Sequence, residues 1–135
     1  MPEIKENIVM KVIRGAQIEY VPASHEDPRN PGVFKKILAI KEDLFPGRVQ
    51  MINWARLPVG GAFRAHYHED MEEIFVIVIG AVVAKVDGAE IRLESGDAIM
   101  VSPCEVHEMR NICTEDVQYI VVGIAGEKNG RTVVV

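Results

Sequence analysis

From Val49 onward the chain is a succession of short β-branched runs cut by turn signals, and this pattern limits its fold more than any other feature. Val49–Ala55 mixes β-branched, aromatic and polar residues and then meets the breaker Pro58-Val59-Gly60-Gly61. Glu73–Ile79 is a strand by composition. Asp87-Gly88 is a two-residue hairpin signal between Val82–Val86 and Ala89–Leu93. Ala98–Val101 and Val117–Ile124 read as further strands, and Asn129-Gly130 turns into a last run, Thr132–Val135. Many short strands at close spacing imply a β-sandwich or barrel. The N-terminal third is less regular. Val12–Arg14 and Ile18–Val21 are expected as short strands, Pro22–Gly32 as a proline-rich loop or arm, and Val33–Ile40 as a strand.

At 135 residues, 48% of them hydrophobic, the chain suits one domain with a real core. No composition shift marks a second domain. The expected layout is an arm with strands over 1–45, a barrel over 46–126 and a terminal strand over 127–135. The net charge of −5 and the lack of a Lys/Arg block argue against nucleic acid as a partner. The longest apolar run, Ile74–Ala84, is broken by Gly80 and is too short for a bilayer. The charged start and two cysteines point to a cytoplasmic protein with reduced thiols.

Three of the four histidines fall in one pattern with a carboxylate. His66, Tyr67 and His68 form an H-x-H; Glu73 follows, and His107 arrives later, within Gly96…His107…Asn111. On a strand, residues i and i+2 share a face about 6.5–7 Å apart at Cα, so His66 and His68 can lean onto one ion while Tyr67 faces away. Three imidazoles and one carboxylate hold a divalent transition metal with coordination positions left open. Manganese or iron is favoured; zinc, nickel and cobalt also suit the donors.

The same residues resemble the cupin family, specifically a small single-domain, type-2-like cupin. Its first motif, G-x5-H-x-H-x(3,4)-E-x6-G, is met at every spacing by Gly60, His66, His68, Glu73 and Gly80. Its second, G-x5-P-x-G-x2-H-x3-N, is met by Gly96, His107 and Asn111. Ser102 stands at the motif's proline, with Pro103 one place later, and Cys104 at its second glycine, so the loop before His107 has room to turn differently. The resemblance implies an antiparallel jelly-roll barrel and a habit of dimerisation. It also selects Glu73 over the adjacent Glu72 through the six-residue gap to Gly80, leaving Glu72 as a solvated turn residue in 69–72.

The function these features imply is a metal-dependent enzyme acting on a small molecule. The resemblance allows dioxygenase, decarboxylase and isomerase chemistry. The alternative is a non-catalytic module that binds metal or a small ligand. The expected substrate bears a carboxylate or carbonyl, and Arg64 is the candidate anchor for it, sharing parity with His66 and His68 if the strand runs extended through 64–68. His25 is expected at the surface, Asn111 at a turn, Cys104 as a small buried residue, and Trp54, Phe63, Phe75 and Tyr119 in the core. Both faces of 73–79 are apolar: Phe75, Ile77 and Ile79 on one, Ile74, Val76 and Val78 on the other. One face fills the barrel; the other needs a second sheet or a partner chain, and a homodimer is expected.

Overall fold

The computed structural model describes residues 10–126 and 131–135. Eleven strands are formed among them: β1 (Val21–Pro22), β2 (Phe34–Ile40), β3 (Val49–Leu57), β4 (His66–His68), β5 (Met71–Ile79), β6 (Ala81–Val86), β7 (Ala89–Glu94), β8 (Ala98–Val101), β9 (His107–Asn111), β10 (Val117–Ala125) and β11 (Thr132–Val134). Two 3₁₀ turns, at Gly15–Gln17 and Lys41–Asp43, are the only helical elements among the described residues. No helix among them is long and apolar enough to cross a membrane.

The strands make two antiparallel sheets. One has six strands in the order β1-β2-β3-β10-β5-β8, the other five in the order β11-β4-β9-β6-β7. Alternation along the long strands sets the inside of the barrel. In β5 every odd residue from Met71 to Ile77 is buried, and in β10 every odd residue from Val117 to Ala125. Leu57, Phe63, Ile77, Val82 and Val117 meet between the sheets with almost no exposure. Each such side chain contributes about 1.5–3 kcal/mol on leaving water. This is a jelly-roll double-stranded β-helix.

The turn chemistry follows the local sequence. Asp87 and Gly88 both hold positive φ, 47° and 86°, as a two-residue hairpin with mirror-image turn geometry requires. The glycines of the histidine pattern also take the left-handed region: Gly60 at 70°, Gly80 at 99° and Gly96 at 93°. At Gly80 a Cβ would also come within 2.7 Å of Val117 Cγ2, so backbone freedom and close packing both call for glycine there.

Several expectations are corrected. Val12–Arg14 forms no strand, and Ile18–Val21 shrinks to the two-residue β1, because the segment lies at the sheet edge with little to pair against. β5 begins at Met71, so the turn before it holds only Glu69 and Asp70, and Glu72 is a half-buried strand residue. Cys104 is exposed, with φ at 69°. It takes the left-handed conformation that glycine adopts without cost, so the loop turns without the motif's glycine, and its N–H donates to His68 O at 2.7 Å. Trp54 is on the outer face of β3, donating from Nε1 to Gln118 Oε1 at 2.9 Å, while Phe63, Phe75 and Tyr119 are buried as expected. The Asn129-Gly130 turn and residues 1–9 of the arm lie outside the described residues.

Candidate metal centre

Strand pairing brings the four expected donors together. His66 on β4 lies directly opposite His107 on β9, and His68 follows two residues along the same face. Glu73 comes from β5 of the facing sheet. All four are buried, and their donor atoms lie within 4.8 Å of one another. The rings of His66 and His107 are 4.3 Å apart at their centroids.

The hydrogen bonds behind the histidines fix which nitrogen faces the cluster. His66 Nδ1 lies 2.8 Å from Arg64 O, and His107 Nδ1 lies 2.9 Å from Glu105 O. A carbonyl only accepts, so both Nδ1 atoms carry the proton. In the neutral rings both Nε2 atoms then present lone pairs. His68 Nδ1 is held by Thr132 Oγ1 at 2.9 Å, a partner supplied by β11. Burial, and then the neighbouring His25, hold the His66 imidazole down to about 3, so it is neutral at ordinary pH.

Glu73 is the anionic member. Burial pushes its carboxyl up, but when the His107 and His68 rings carry an Nε2 proton their hydrogen bonds outweigh this and hold it down to about 2. Its Oε1 lies 2.8 Å from His68 Nε2 and 3.1 Å from His107 Nε2. With Nδ1 of His107 already protonated, Nε2 meets the carboxylate as a second acceptor unless it takes another proton or the two share a cation. Three imidazole nitrogens and a carboxylate oxygen, all turned to one point and backed by fixed partners, fit a divalent transition ion.

Beside the cluster is a cavity of about 160 Å³, lined in part by His68, Glu73, Lys35, Asn53, Phe75 and Tyr119. Tyr119 stays a neutral phenol, because burial and then the nearby carboxylates push its pKa up. Lys35, on β2, donates from Nζ to Ser24 Oγ at 2.8 Å. Burial lowers its pKa, and the Glu73 carboxylate opposes that.

Two site expectations are changed, the first of them by the arm. His25 is not a surface residue. Its ring stacks on His66 at 4.0 Å and 19°, and it lines the cavity. Glu26 holds it there. Its Oε2 lies 2.7 Å from His25 Nδ1 and accepts from Arg64 N at 2.9 Å, while Oε1 accepts from Gly32 N at 2.8 Å. A Cβ on Gly32 would collide with the Ala62 carbonyl, so glycine lets the arm close onto the barrel.

Arg64 is not brought to the cluster. Its side chain is exposed, because β4 begins only at His66; Phe63 and His66, three residues apart, are both buried, which breaks the parity assumed across 64–68. Arg64 acts through its backbone, whose carbonyl accepts the hydrogen bond from His66 Nδ1. Asn111 has the expected turn role: Nδ2 donates to Leu57 O and Glu115 O, and Oδ1 accepts from Cys113 N. His25, Lys35, Asn53 and Thr132 were not singled out as site residues. They arrive from distant strands and the arm, and no spacing in the sequence joins them to the histidines.

The chain belongs to the cupin domain family, whose model matches residues 53–123. It is 27% identical over 105 residues to an uncharacterized protein of Methanocaldococcus jannaschii, covering 78% of this chain and 80% of that one. It is 23% identical over 83 residues to an oxalate-binding protein of Thermotoga maritima, covering 62% of this chain and 69% of that one. Among solved structures, a predicted oxalate decarboxylase from Thermotoga maritima superposes with a TM-score of 0.76 at 25% identity, covering 86% of this chain and all of that one.

Proposed function

We propose that this cupin is a metal-dependent enzyme acting on a small carboxylate- or carbonyl-bearing molecule, with one divalent ion held by His66, His68, Glu73 and His107. The observation that carries this reading is the fixed set of donor nitrogens around an ionised glutamate, with a cavity beside it. A bound ion of this type supplies Lewis acidity toward a carbonyl or carboxylate oxygen and, if iron or manganese, one-electron chemistry. Manganese or iron is the favoured occupant, with zinc, nickel or cobalt also compatible with the donors.

The chain's own residues do the rest. The carbonyls of Arg64 and Glu105 hold the rings of His66 and His107 in the donor orientation. Phe75 and Tyr119 line the cavity with aromatic surface. His25, fixed at Nδ1 by Glu26, is the imidazole placed to exchange a proton with a ligand there. Decarboxylase, isomerase-like and dioxygenase-like reactions all suit such a site.

A second reading is a binding module without turnover, favoured by the name of the Thermotoga maritima oxalate-binding relative. The test is to load the protein with manganese or iron and offer small dicarboxylates and keto acids, following product formation and dioxygen uptake. Turnover is expected. Stoichiometric binding of an acid with no reaction selects the binding module.

The proposed setting is a homodimer in a cytoplasm-like compartment. Ile52, Ile74, Val76, Ile120 and Val122 form a half-exposed apolar outer face on the six-stranded sheet, a surface that a second copy would cover. Both cysteines are free, which suits a reducing compartment. The 1–45 arm, the 46–126 barrel and the 127–135 strand are proposed to fold as one unit.

A further inference from the structure

Of the three histidine donors, two are held by their own stretch of chain and one is not. His66 Nδ1 donates to Arg64 O and His107 Nδ1 to Glu105 O, in each case the carbonyl two residues back. His68 has a different partner. Its Nδ1 lies 2.9 Å from Thr132 Oγ1, 64 residues away on β11. A carbonyl two residues back travels with the backbone that carries the ring. A hydroxyl on another strand is in place only while that strand is docked.

The pairing explains why the hydroxyl arrives there. β11 runs antiparallel to β4 with Thr132 opposite His68 and Val134 opposite His66. Glu69 N donates to Arg131 O at 2.9 Å, and Val135 N to Ala65 O at 3.0 Å. Hydrogen-bonded pairs alternate along an antiparallel ladder, so Thr132 and His68 form a non-hydrogen-bonded pair, the kind in which facing side chains stand closest. Thr132 therefore shares the donor face of β4 and lines the cavity beside the cluster. Val133 falls opposite Tyr67, on the other face.

β4 is held more extensively by β11 than by its other neighbour. It lies between β11 and β9 in the five-stranded sheet. Its register with β9 is the one pair His66–His107, whereas β11 pairs with all three of its residues. The short strand that carries two of the four donors thus depends on the C-terminal strand for much of its place.

We propose that β11 is a strap that holds the donor pair of β4, with Thr132 as the positioning residue for His68, so that metal retention and docking of the C-terminal strand are coupled. The inference rests on the proposed metal centre. Thr132 acts through the His68 ring, whose Nε2 faces Glu73 Oε1 at 2.8 Å. The coupling is reciprocal: whatever docked β11 adds to metal affinity, bound metal adds to the docking of β11.

The test is manganese affinity, by competition with a chelating dye, for the wild type, Thr132→Val, Thr132→Ser and Val133→Pro. Metal-free Tm, the visible spectrum of the cobalt-loaded proteins and hydrogen exchange of residues 131–135 are measured beside it. Thr132→Val keeps the branched shape and removes the hydroxyl. It is expected to weaken manganese at least tenfold and to change the cobalt spectrum, with metal-free Tm close to wild type. Thr132→Ser keeps the hydroxyl and should return both affinity and spectrum to near the wild-type result. Val133→Pro removes a ladder N–H on the face away from the donors, and should also weaken manganese at least tenfold in a protein that is still folded. In the wild type, manganese should slow exchange of 131–135 at least tenfold.

Thr132→Val within twofold of the wild type, or Thr132→Ser as weak as Thr132→Val, removes Thr132 as a positioning residue. Wild-type affinity in Val133→Pro, or exchange of 131–135 that manganese leaves unchanged, removes the strap. Each of these results leaves the metal centre standing. A wild type that takes up no divalent ion overturns the centre and this inference with it.

Discussion

Glu73 and Glu72 differ by one residue and by a whole face of a strand. Glu73 points into the barrel with its carboxyl held down to about 2, while Glu72 is half-buried on the other side. Glu73→Gln is therefore expected to weaken metal binding by at least tenfold, and Glu72→Gln to leave it within twofold, as measured by competition with a chelating dye. Glu26 makes a separate prediction. Burial raises its carboxyl, but the hydrogen bonds from His25, Arg64 N and Gly32 N leave it below the ordinary value of 4.5. A depressed carboxylate contributes stability that is full above the unfolded value and is lost as pH falls from there through the lower folded value. Glu26→Gln should cost about 1–3 kcal/mol at pH 7 in urea unfolding. The gap between variant and wild type should shrink as pH drops below 4.5. A gap that stays constant with pH would show that ionisation of Glu26 contributes nothing. The histidines and Glu73 were legible in the sequence because metal geometry fixes their spacing. His25 was not, because its place depends on an arm whose closure is set by Gly32 and Glu26 rather than by any local pattern.

At the scale of elements, the long strands were legible because β-branched runs and turn dipeptides are local signals. β8, at Ala98–Val101, and the hairpin at Asp87-Gly88 fall where the sequence places them. The misjudged elements depend on what they pack against. β1 is short because it has an edge position, and β4 starts at His66 rather than Arg64 because the chain crosses between sheets just before it. Cys104 shows a backbone need that its side chain hides. At φ 69° a β-branched residue is strongly disfavoured, whereas glycine is at ease. Cys104→Val is expected to lower stability by about 1–2 kcal/mol, and Cys104→Gly to leave it unchanged or raise it. Urea midpoints measure both. Equal midpoints for the two variants would mean that the turn does not hold this conformation in solution.

The whole molecule is a barrel whose inside is settled and whose outside is not. The inward faces of β3, β5 and β10 fill the core and frame the cavity; their outward faces leave Ile74, Val76, Ile120 and Val122 half-exposed in a contiguous patch. A dimer mass in light scattering at micromolar concentration is expected, and Val76→Lys together with Val122→Lys should shift it toward monomer without loss of the folded spectrum. A wild-type monomer would show that the patch is tolerated bare. The double-sided apolar pattern of 73–79 was legible in sequence, but the identity of its cover was not, because a pattern gives burial and not a partner. The four candidate donors come from both sheets, Glu73 from one and the three histidines from the other, so a metal held there would tie the sheets together. The most direct measurement is elemental analysis of the protein purified without added metal, beside its His66→Ala/His107→Ala variant. About one equivalent of iron or manganese per chain in the wild type, and a sharp loss in a variant that is still folded, is the predicted result. Stoichiometric metal in the double variant at unchanged affinity would contradict it.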